Sequence, residues 1–200
     1  MDHYYTSKPS SESNREKWET TINGKKFTYT TDSGVFSKNN IDVGSEVLMT
    51  TAETVDFPKG NLLDIGCGYG PVGIYLAKAF PNRLIEMIDV NERAIDLAQL
   101  NAKENEASNV QIYSSNLFEE VENKKFAGII SNPPIRAGKT VVHEILEKSH
   151  DYLVEGGYLL IVIQKKQGAP SAKKKMLEVF GNVERINLDK GYWILAAQKQ

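Results

Sequence analysis

The stretch LLDIGCGYGPVGI, residues 62–74, decides the fold of this chain. It predicts a buried strand ending near Asp64, a loop with Gly66, Gly68 and Gly70, and a helix that begins at Pro71. Glycine lets the backbone approach a ligand closely and adopt dihedral angles that other residues avoid. A tight turn without a ligand would use the same residues. Within a parallel sheet, such a loop after the first strand is typical of a nucleotide-like cofactor site.

The segments around this stretch alternate between strand-like and helix-like patterns. Short apolar runs that predict strands lie at 62–66, 84–90, 110–116, 127–131 and 158–163, and helical spacing appears at 71–80, 91–105 and 138–154. Repeated strand–helix–strand units form a parallel sheet with helices on both faces. After a further helix near 171–180, VERIN and YWILAAQ are separated by a short turn and predict an antiparallel pair. The fold class is therefore predicted to be α/β.

The first 45 residues do not follow this alternation. Asn23 and Gly24 lie between two strand-like runs in 19–30, which indicates a hairpin with a two-residue turn. Residues 32–55 then predict a loop that leads into an amphipathic helix. We predict an N-terminal hairpin extension and loop over 1–45 and a core domain over 46–200. Because a lone hairpin is unstable in water, the extension should brace or cover the core.

Composition narrows the classes of protein and partner. The net charge of −2 and the pI near 6.0 argue against a surface covered in positive charge, so a nucleic acid would need a local basic patch. A single cysteine, Cys67, excludes an internal disulfide, and the three histidines do not cluster with it, so no metal site is expected. The first residues lack the apolar segment of a signal peptide, and the aliphatic run at 159–163 is far too short to span a bilayer. We therefore expect a cytoplasmic protein.

Two more polar residues end predicted strands at the same edge of the sheet. Asp89 follows the glycine loop by about 20 residues, where a carboxylate can accept hydrogen bonds from both hydroxyls of a ribose. A carboxylate before the next helix would also be stabilising without a ligand. Asn116 ends the third strand, where its amide could pair with an adenine edge. The G-x-G-x-G spacing differs from the G-x-G-x-x-G of dinucleotide folds, which disfavours a nicotinamide-dependent oxidoreductase.

The order LDIGCGYG, IDVN, SSNLF and SNPPIRAGK closely resembles class I S-adenosylmethionine-dependent methyltransferases. Within them it is most similar to the small-domain group that includes bacterial 16S ribosomal RNA guanine-N2 methyltransferases. The likeness also covers DSGVFSKNNIDVGSEVL before the core and QKKQGAPSA after the fifth strand. It implies a Rossmann-like, seven-stranded, mostly parallel sheet whose last strand is antiparallel. It also implies S-adenosyl-L-methionine as the cofactor, held by Asp64, Gly66, Cys67, Gly68, Gly70, Asp89, Val90, Asn116, Leu117 and Asn132.

The SNPPIRAGK stretch, residues 131–139, supplies the candidate catalytic loop. Pro133 and Pro134 fix their own φ angles, restrict the residues before them and donate no amide protons. The loop then offers the side-chain oxygen of Asn132 and the carbonyl of Pro133 as acceptors. Two acceptors suit an NH2 group, because holding both hydrogens out of plane frees its conjugated lone pair for the methyl donor. A rigid turn without function would carry the same prolines.

The residues after the prolines point to the substrate. Many members of the resembling group have an aromatic residue where this chain has Ile135, so stacking on a planar substrate would be weaker or come from elsewhere, with Phe36 as a candidate. Arg136 and Lys139 suggest a substrate with phosphates, and Lys165 and Lys166 open a lysine-rich run over 165–175. Lysine runs are more often solvated surface.

These observations predict an enzyme that flips a guanine out of RNA and methylates its exocyclic N2 amine. The substrate is expected to be ribosomal RNA of the small subunit, free or assembled, with no membrane partner. The candidate catalytic residues are Asn132, Pro133, Pro134 and Ile135, and the candidate substrate-binding residues are Phe36, Arg136, Lys139, Lys165 and Lys166. Adenine-N6 and protein glutamine-N5 methylation are the alternatives within the class. A nicotinamide-dependent oxidoreductase and a non-catalytic RNA-binding module are the alternatives outside it.

Overall fold

The computed structural model of the protein describes residues 7, 8, 10–35, 37, 39–122 and 125–200. Its helices are α1 (Val43–Ala52), α2 (Pro71–Ala79), α3 (Glu92–Glu104), α4 (Lys139–Tyr152) and α5 (Ala169–Phe180). Its strands are β1 (Glu16–Ile22), β2 (Lys25–Thr31), β3 (Leu62–Ile65), β4 (Ile85–Asp89), β5 (Val110–Ser114), β6 (Phe126–Ser131), β7 (Leu153–Gln164), β8 (Glu184–Asp189) and β9 (Tyr192–Gln198). No bilayer-spanning helix is found in the described part of the chain.

Seven strands form the central sheet in the order β5-β4-β3-β6-β7-β9-β8. The pairs from β5 to β7 are parallel, and β9 runs antiparallel to both β7 and β8. This confirms the predicted α/β class, the seven strands and the antiparallel last strand. The chain builds outward from β3 through β4 to β5 and then returns to the other side of β3 with β6. That reversal opens a crevice at the carboxyl ends of β3 and β6, which is where open α/β sheets bind ligands.

Helices cover both faces of the sheet and explain the apolar central strands. Every residue of β3 (LLDI) and β6 (FAGIIS) is buried, as expected for parallel strands that are covered on both sides. One core cluster joins α1, α2, α3 and the β1–β2 hairpin to the sheet, and a second joins α4 and α5 to the opposite face.

The strand β7 begins earlier than the sequence pattern predicts. The pattern places its start at 158, whereas the strand begins at Leu153, directly after α4. Gly156 has a φ of +78°, and the pairing of β7 with β6 shifts register between Phe126 and Gly128. A Cβ at Gly157 would lie 2.9 Å from the carbonyl oxygen of Val154. The two glycines therefore let an irregular strand approach its neighbour instead of ending a helix.

The predicted N-terminal hairpin is confirmed. Asn23 and Gly24 both have positive φ angles, +48° and +75°, as a two-residue turn matched to the twist of the strands requires. The hairpin buries Phe27 and Tyr29 against the core. The Phe27 ring lies 5.7 Å from that of Tyr75, and the Tyr29 ring lies 5.5 Å from that of Tyr69. The hairpin thus braces the core, while the division of the chain at residue 45 stays a prediction.

Two asparagines, one in α3 and one directly after it, hold the free edge of β2. Asn101 accepts a hydrogen bond from the backbone N–H of Thr30 at 2.7 Å and donates to the carbonyl oxygens of Thr30 and Tyr69, each at 2.9 Å. One turn later, Asn105 exchanges the same pair of bonds with Thr28. Each side-chain amide therefore makes the hydrogen bonds that the backbone of a neighbouring strand would otherwise make. Asn101 also links the hairpin to the glycine loop at Tyr69. This pairing also prevents the edge from joining another chain.

We expect Asn101→Ala to destabilise the protein by about 2–4 kcal/mol, because the substitution leaves three buried backbone groups without partners. Denaturant unfolding monitored by circular dichroism would measure the change. Lys103→Ala, at an exposed position on the same helix, is the matched control and should stay within about 0.5 kcal/mol of the native chain. Equal stability of the two variants would contradict the account of the β2 edge.

Candidate functional site

A cavity of about 420 Å³ lies at the carboxyl ends of the parallel strands. Its wall includes every candidate cofactor-binding residue except Gly70: Asp64, Gly66, Cys67, Gly68, Asp89, Val90, Asn116, Leu117 and Asn132. Pro133, Pro134, Ile135 and Arg136 line it as well. The structure therefore brings the glycine loop and the Asn-Pro-Pro loop to one space, although 66 residues separate Gly66 from Asn132. That convergence follows from the adjacency of β3 and β6.

The glycine loop is shaped for close approach of a ligand. Gly66, Gly68 and Gly70 have φ angles of +72°, +57° and +104°, which strain residues with a side chain. A Cβ at Gly66 or Gly68 would meet no atom within 4 Å, so both positions face open space. A Cβ at Gly70 would lie 2.8 Å from Ile74, so this glycine serves packing at the start of α2. The backbone N–H groups of Gly66 and Cys67 both donate to the carbonyl of Ile88 at 2.9 Å, which fixes the loop against β4.

Asp89 ties the glycine loop to the end of β4. Its Oδ2 accepts from the backbone N–H of Gly68 at 2.8 Å, and its Oδ1 accepts from that of Asn91 at 2.8 Å. The N-cap of α3 is Asn91, whose side-chain oxygen accepts from the N–H of Ala94 at 3.2 Å. Asp89 therefore does not cap the helix. Burial raises the pKa of the Asp89 carboxyl, and the backbone N–H groups of Asn91, Gly68 and Val90 oppose that rise.

Asp64 carries an unsatisfied buried oxygen at the floor of the cavity. Its side chain is buried, and Oδ2 has no hydrogen-bond partner within the described residues. Burial raises the pKa of this carboxyl to about 7; the N–H of Gly73 opposes the rise, and the charge of Asp89 adds to it. A buried acceptor without a partner is costly. A cationic ligand group beside it would supply a partner and restore the ionised form.

The end of β5 supplies the third wall of the cavity. The hydroxyl of Ser115 donates to the carbonyl of Leu117 at 2.7 Å, and Leu117 adopts a φ of +51°. This turn brings Asn116 and Leu117 to the cavity. The NH2 group of Asn116 donates to Glu119 at 3.0 Å. Its predicted contact with an adenine edge stays a prediction.

The amide of Asn132 has a defined orientation. Its Nδ2 donates to Oδ2 of Asp42 and to Oγ of Ser45, both at 3.0 Å. A carboxylate can only accept hydrogen bonds, so the NH2 group must face Asp42 and the side-chain oxygen must face away from it. That oxygen makes no hydrogen bond within the described residues, and Asn132 lines the cavity. The loop therefore carries an acceptor of fixed orientation on a residue of the cavity wall.

The predicted substrate-binding residues divide into three groups. Arg136 lines the cavity, and it is exposed. Lys139, Lys165 and Lys166 are exposed and do not line it, although Gln167, next to the two lysines in sequence, does. Phe36 lies outside the described residues.

The cavity residues that were not predicted from the sequence include two polar residues, Asp42 and Ser45, and one aromatic residue, Tyr192. Asp42 and Ser45 form the N-terminal turn of α1, where the Asp42 side chain accepts from the N–H of Ser45 at 3.0 Å. An acidic residue three positions before serine at a helix start is a capping signal, but it does not predict contact with a loop 90 residues away. Tyr192 at the start of β9 also lines the cavity. Gly44 allows its ring to pack on α1, since a Cβ there would lie 2.8 Å from Tyr192 Cε1.

The sequence pattern of a known family agrees with this architecture. The family described as methyltransferase small domain matches residues 26–196. The chain belongs to the methyltransferase small-domain family. That range includes the glycine loop, the Asn-Pro-Pro loop and most of the strands β2 and β9.

Relatives of this chain match it over different shares of its length and of their own. It is 52% identical over 199 residues to the uncharacterized protein YbxB of Bacillus subtilis, covering 99% of this chain and 98% of that protein. It is 37% identical over 133 residues to ribosomal RNA small subunit methyltransferase C of Haemophilus influenzae, covering 64% of this chain and 39% of that enzyme. For the Vibrio parahaemolyticus enzyme of that name, identity is 30% and coverage is 93% and 54%. The chain thus spans about half or less of these two enzymes.

A solved structure has the same fold. The 16S rRNA N2 G1207 methyltransferase (RsmC) of Thermus thermophilus, in complex with AdoMet and guanosine, superposes with a TM-score of 0.84 at 22% identity. The match covers 96% of this chain and 52% of the Thermus chain. The small-domain fold therefore accounts for about half of that structure.

The raised pKa of Asp64 predicts a pH-dependent stability. Because the pKa is about 7 in the folded chain and ordinary in the unfolded chain, the folded state binds the proton more tightly. The free energy of unfolding should therefore fall as pH rises between the two values. The Asp64→Asn variant lacks this titration. We therefore expect its free energy of unfolding, measured relative to that of the native chain, to increase by roughly 2–3 kcal/mol from pH 5 to pH 8.

Urea unfolding at several pH values, with and without S-adenosylmethionine, would measure this difference. Saturating cofactor should reduce it, since a cation favours the ionised carboxyl. Asp96→Asn, at an exposed position on α3, is the control and should show no such trend. A difference between Asp64→Asn and the native chain that does not change with pH would contradict the assignment.

Proposed function

We propose that this protein transfers a methyl group from S-adenosyl-L-methionine to the exocyclic N2 amine of a guanine in 16S ribosomal RNA. The observation that carries the proposal is the orientation of Asn132. Its NH2 group is held by Asp42 and Ser45, which leaves its side-chain oxygen as an acceptor turned away from them, and Asn132 lines the cavity that the glycine loop also lines. An acceptor fixed beside a cofactor cavity suits a target that carries an NH2 group.

The cofactor is S-adenosyl-L-methionine, and the residues present fit it. When bound, it supplies a methyl group that its sulfonium has already activated. Gly66 and Gly68 carry no side chain that would fill the space beside the loop, so the cofactor can approach the backbone there. The buried oxygen of Asp64 offers an acceptor for the cationic amine of the cofactor. Asp89, fixed by two backbone N–H groups, holds a carboxylate at the end of β4 where ribose hydroxyls can donate to it. Leu117 supplies an apolar side chain at the end of β5.

The Asn-Pro-Pro loop handles the target amine. The Asn132 side-chain oxygen and the Pro133 carbonyl accept its two hydrogens, which holds the lone pair of the nitrogen out of conjugation with the ring. Pro133 and Pro134 have no N–H groups that could compete for these acceptors. Ile135 and Tyr192 line the same cavity and offer an apolar and an aromatic face to a planar base. Tyr192 can therefore supply the stacking that Ile135 does not.

Ribosomal RNA is proposed as the substrate because of the named relatives and the exposed cations near the cavity. A guanine amine inside a helix is paired and stacked, so the base must be flipped out to reach the loop. Arg136, Lys139, Lys165 and Lys166 are positioned to contact phosphates. Lys175, later in the same run, forms an ion pair with Glu147 and serves the surface of α4 and α5 instead. If Lys165→Gln leaves the salt dependence of RNA binding unchanged, this role for Lys165 is wrong.

A direct test supplies labelled S-adenosylmethionine together with separate pools of substrate. The pools are free 16S rRNA, assembled small subunits, transfer RNA and total protein, each from cells that lack the enzyme so that the target is unmodified. We expect label in 16S rRNA, free or assembled, and digestion should release it as N2-methylguanosine. Label in N6-methyladenosine would overturn the guanine assignment. Label in protein glutamine alone would overturn the RNA assignment.

Asn132→Ala should lower the methyl-transfer rate by a factor of about 100 or more and leave cofactor affinity nearly unchanged. Single-turnover kinetics and calorimetry with S-adenosylmethionine would measure the two quantities. Asn132→Asp should also be inactive, because a carboxylate there would face the carboxylate of Asp42 and could not donate to it. A native rate in Asn132→Ala would show that the loop is only a rigid turn.

A further inference from the structure

We infer that Asp42 is a positioning residue that selects the active orientation of Asn132, an inference that rests on the function proposed above. Asp42 lines the cavity, but no contact with the methyl donor is assigned to it. It acts through its hydrogen bond to the Asn132 amide, and Ser45 accepts a second hydrogen bond from the same NH2 group. No sequence pattern assigned either residue a role in the reaction.

The contacts form a closed unit across three elements. Oδ2 of Asp42 accepts from the backbone N–H of Ser45 at 3.0 Å and from Nδ2 of Asn132 at 3.0 Å. The Ser45 hydroxyl lies 3.0 Å from the same Nδ2, and Ser45 is 7% exposed. The ring of Tyr192 packs against Gly44 between the two polar residues. The start of α1 is therefore held against the Asn-Pro-Pro loop by both polar and apolar contacts.

An asparagine amide needs such a neighbour to be a reliable acceptor. Its two ends are almost equal in shape, and rotation of the terminal torsion by 180° exchanges the oxygen for the NH2 group. In the rotated state Asn132 would present N–H donors to a target that is itself a donor. The same rotation would place the Asn132 oxygen against the Asp42 carboxylate, with two acceptors facing each other. Asp42 therefore makes the two states unequal and favours the one that can bind an amine.

The charge of Asp42 adds a second effect. The target nitrogen becomes more positive as it gains the methyl group, and a carboxylate behind Asn132 is positioned to stabilise that change through the amide. The hydrogen bond to a charged acceptor also polarises the amide and makes its oxygen a stronger acceptor. Orientation and charge can be separated, because Asp42→Asn keeps an acceptor oxygen and removes the charge.

A purely structural role is the competing explanation, since Asp42 is the N-cap of α1. Serine is an equally good N-cap residue, but its oxygen is one bond closer to the backbone and would not reach Nδ2 of Asn132. Asp42→Ser therefore keeps the cap and removes the contact. If Asp42 only caps the helix, this variant should keep both its stability and its activity.

The first experiment observes the contact without any reaction. The side-chain NH2 signal of Asn132 is assigned in 15N-correlated spectra by its loss in Asn132→Ala. In Asp42→Ser we expect the proton that faces Asp42 to move upfield, because it loses a charged acceptor. In Asp42→Asn it should move by less. An unchanged signal in Asp42→Ser would overturn the inference.

The second experiment measures single-turnover methyl transfer to 16S rRNA. We expect the rate to fall by about tenfold or more in Asp42→Ser and by less in Asp42→Asn, with S-adenosylhomocysteine affinity within about twofold of native and unfolding midpoints close to native. In the Asn132→Ala background, Asp42→Ser should cause no further loss, because its target is gone. Asp56→Asn, which removes an exposed carboxylate elsewhere, should retain the native rate.

The outcomes separate this inference from the proposed function. If the native chain methylates no RNA, the proposed function fails, and the spectra still test the contact. If the native chain methylates RNA and Asp42→Ser keeps the native rate, the inference fails alone. Full additivity of Asp42→Ser and Asn132→Ala would also overturn it, since the two residues would then act independently.

Discussion

The adjacency of β3 and β6 in the middle of the sheet is the constraint on which the site depends. The chain passes from β3 to β4 and β5 on one side, and β6 then pairs with the opposite edge of β3. Because parallel strands all end at one edge, this order places the glycine loop, Asp89 and Asn132 around a single crevice. The burial of both faces of β3 and β6 fixes their register, so the distance between the two loops has little freedom. The positions of the glycine loop and of the Asn-Pro-Pro loop are thereby set by one packing arrangement.

The β1–β2 hairpin and α1, which precede the central sheet in the chain, also contact the two loops of the site. The hairpin is held by Asn101 in α3 and by Asn105 at the end of that helix, and Asn101 also donates to the carbonyl of Tyr69 in the glycine loop. The following helix α1 brings Asp42 and Ser45 to the Asn-Pro-Pro loop. The segment before the sheet thus contacts the glycine loop through the rings of Trp18 and Tyr29 against Tyr69, and it holds the amide of Asn132 through Asp42 and Ser45. The family match likewise begins at residue 26, before the first strand of the central sheet.

The sequence predicted the parts of this structure that local pattern controls. Asn23-Gly24 predicted the hairpin turn, the glycine loop predicted the cofactor side of the cavity, and the short turn before YWILAAQ predicted the antiparallel strand. Asp42 and Tyr192 could not be found in this way, because their roles arise from contacts between elements far apart in the chain. The pattern misplaces the start of β7 because a pair of glycines after helical spacing is typical of a helix end, whereas Gly156 and Gly157 accommodate a register shift beside β6. Periodicity reports which face of an element is buried and does not report which distant loop that face meets.

The central claim is that the Asn132 oxygen receives the amine of a guanine beside the cofactor. A crystal structure of the protein with S-adenosylhomocysteine and guanosine would test it most directly. The account predicts the guanosine N2 within hydrogen-bonding distance of the Asn132 side-chain oxygen, on the same side of the loop as the sulfur, with the Asn132 NH2 group still donating to Asp42. Guanosine bound elsewhere, or bound with N2 turned away from Asn132 while the cofactor product occupies the glycine loop, would contradict it.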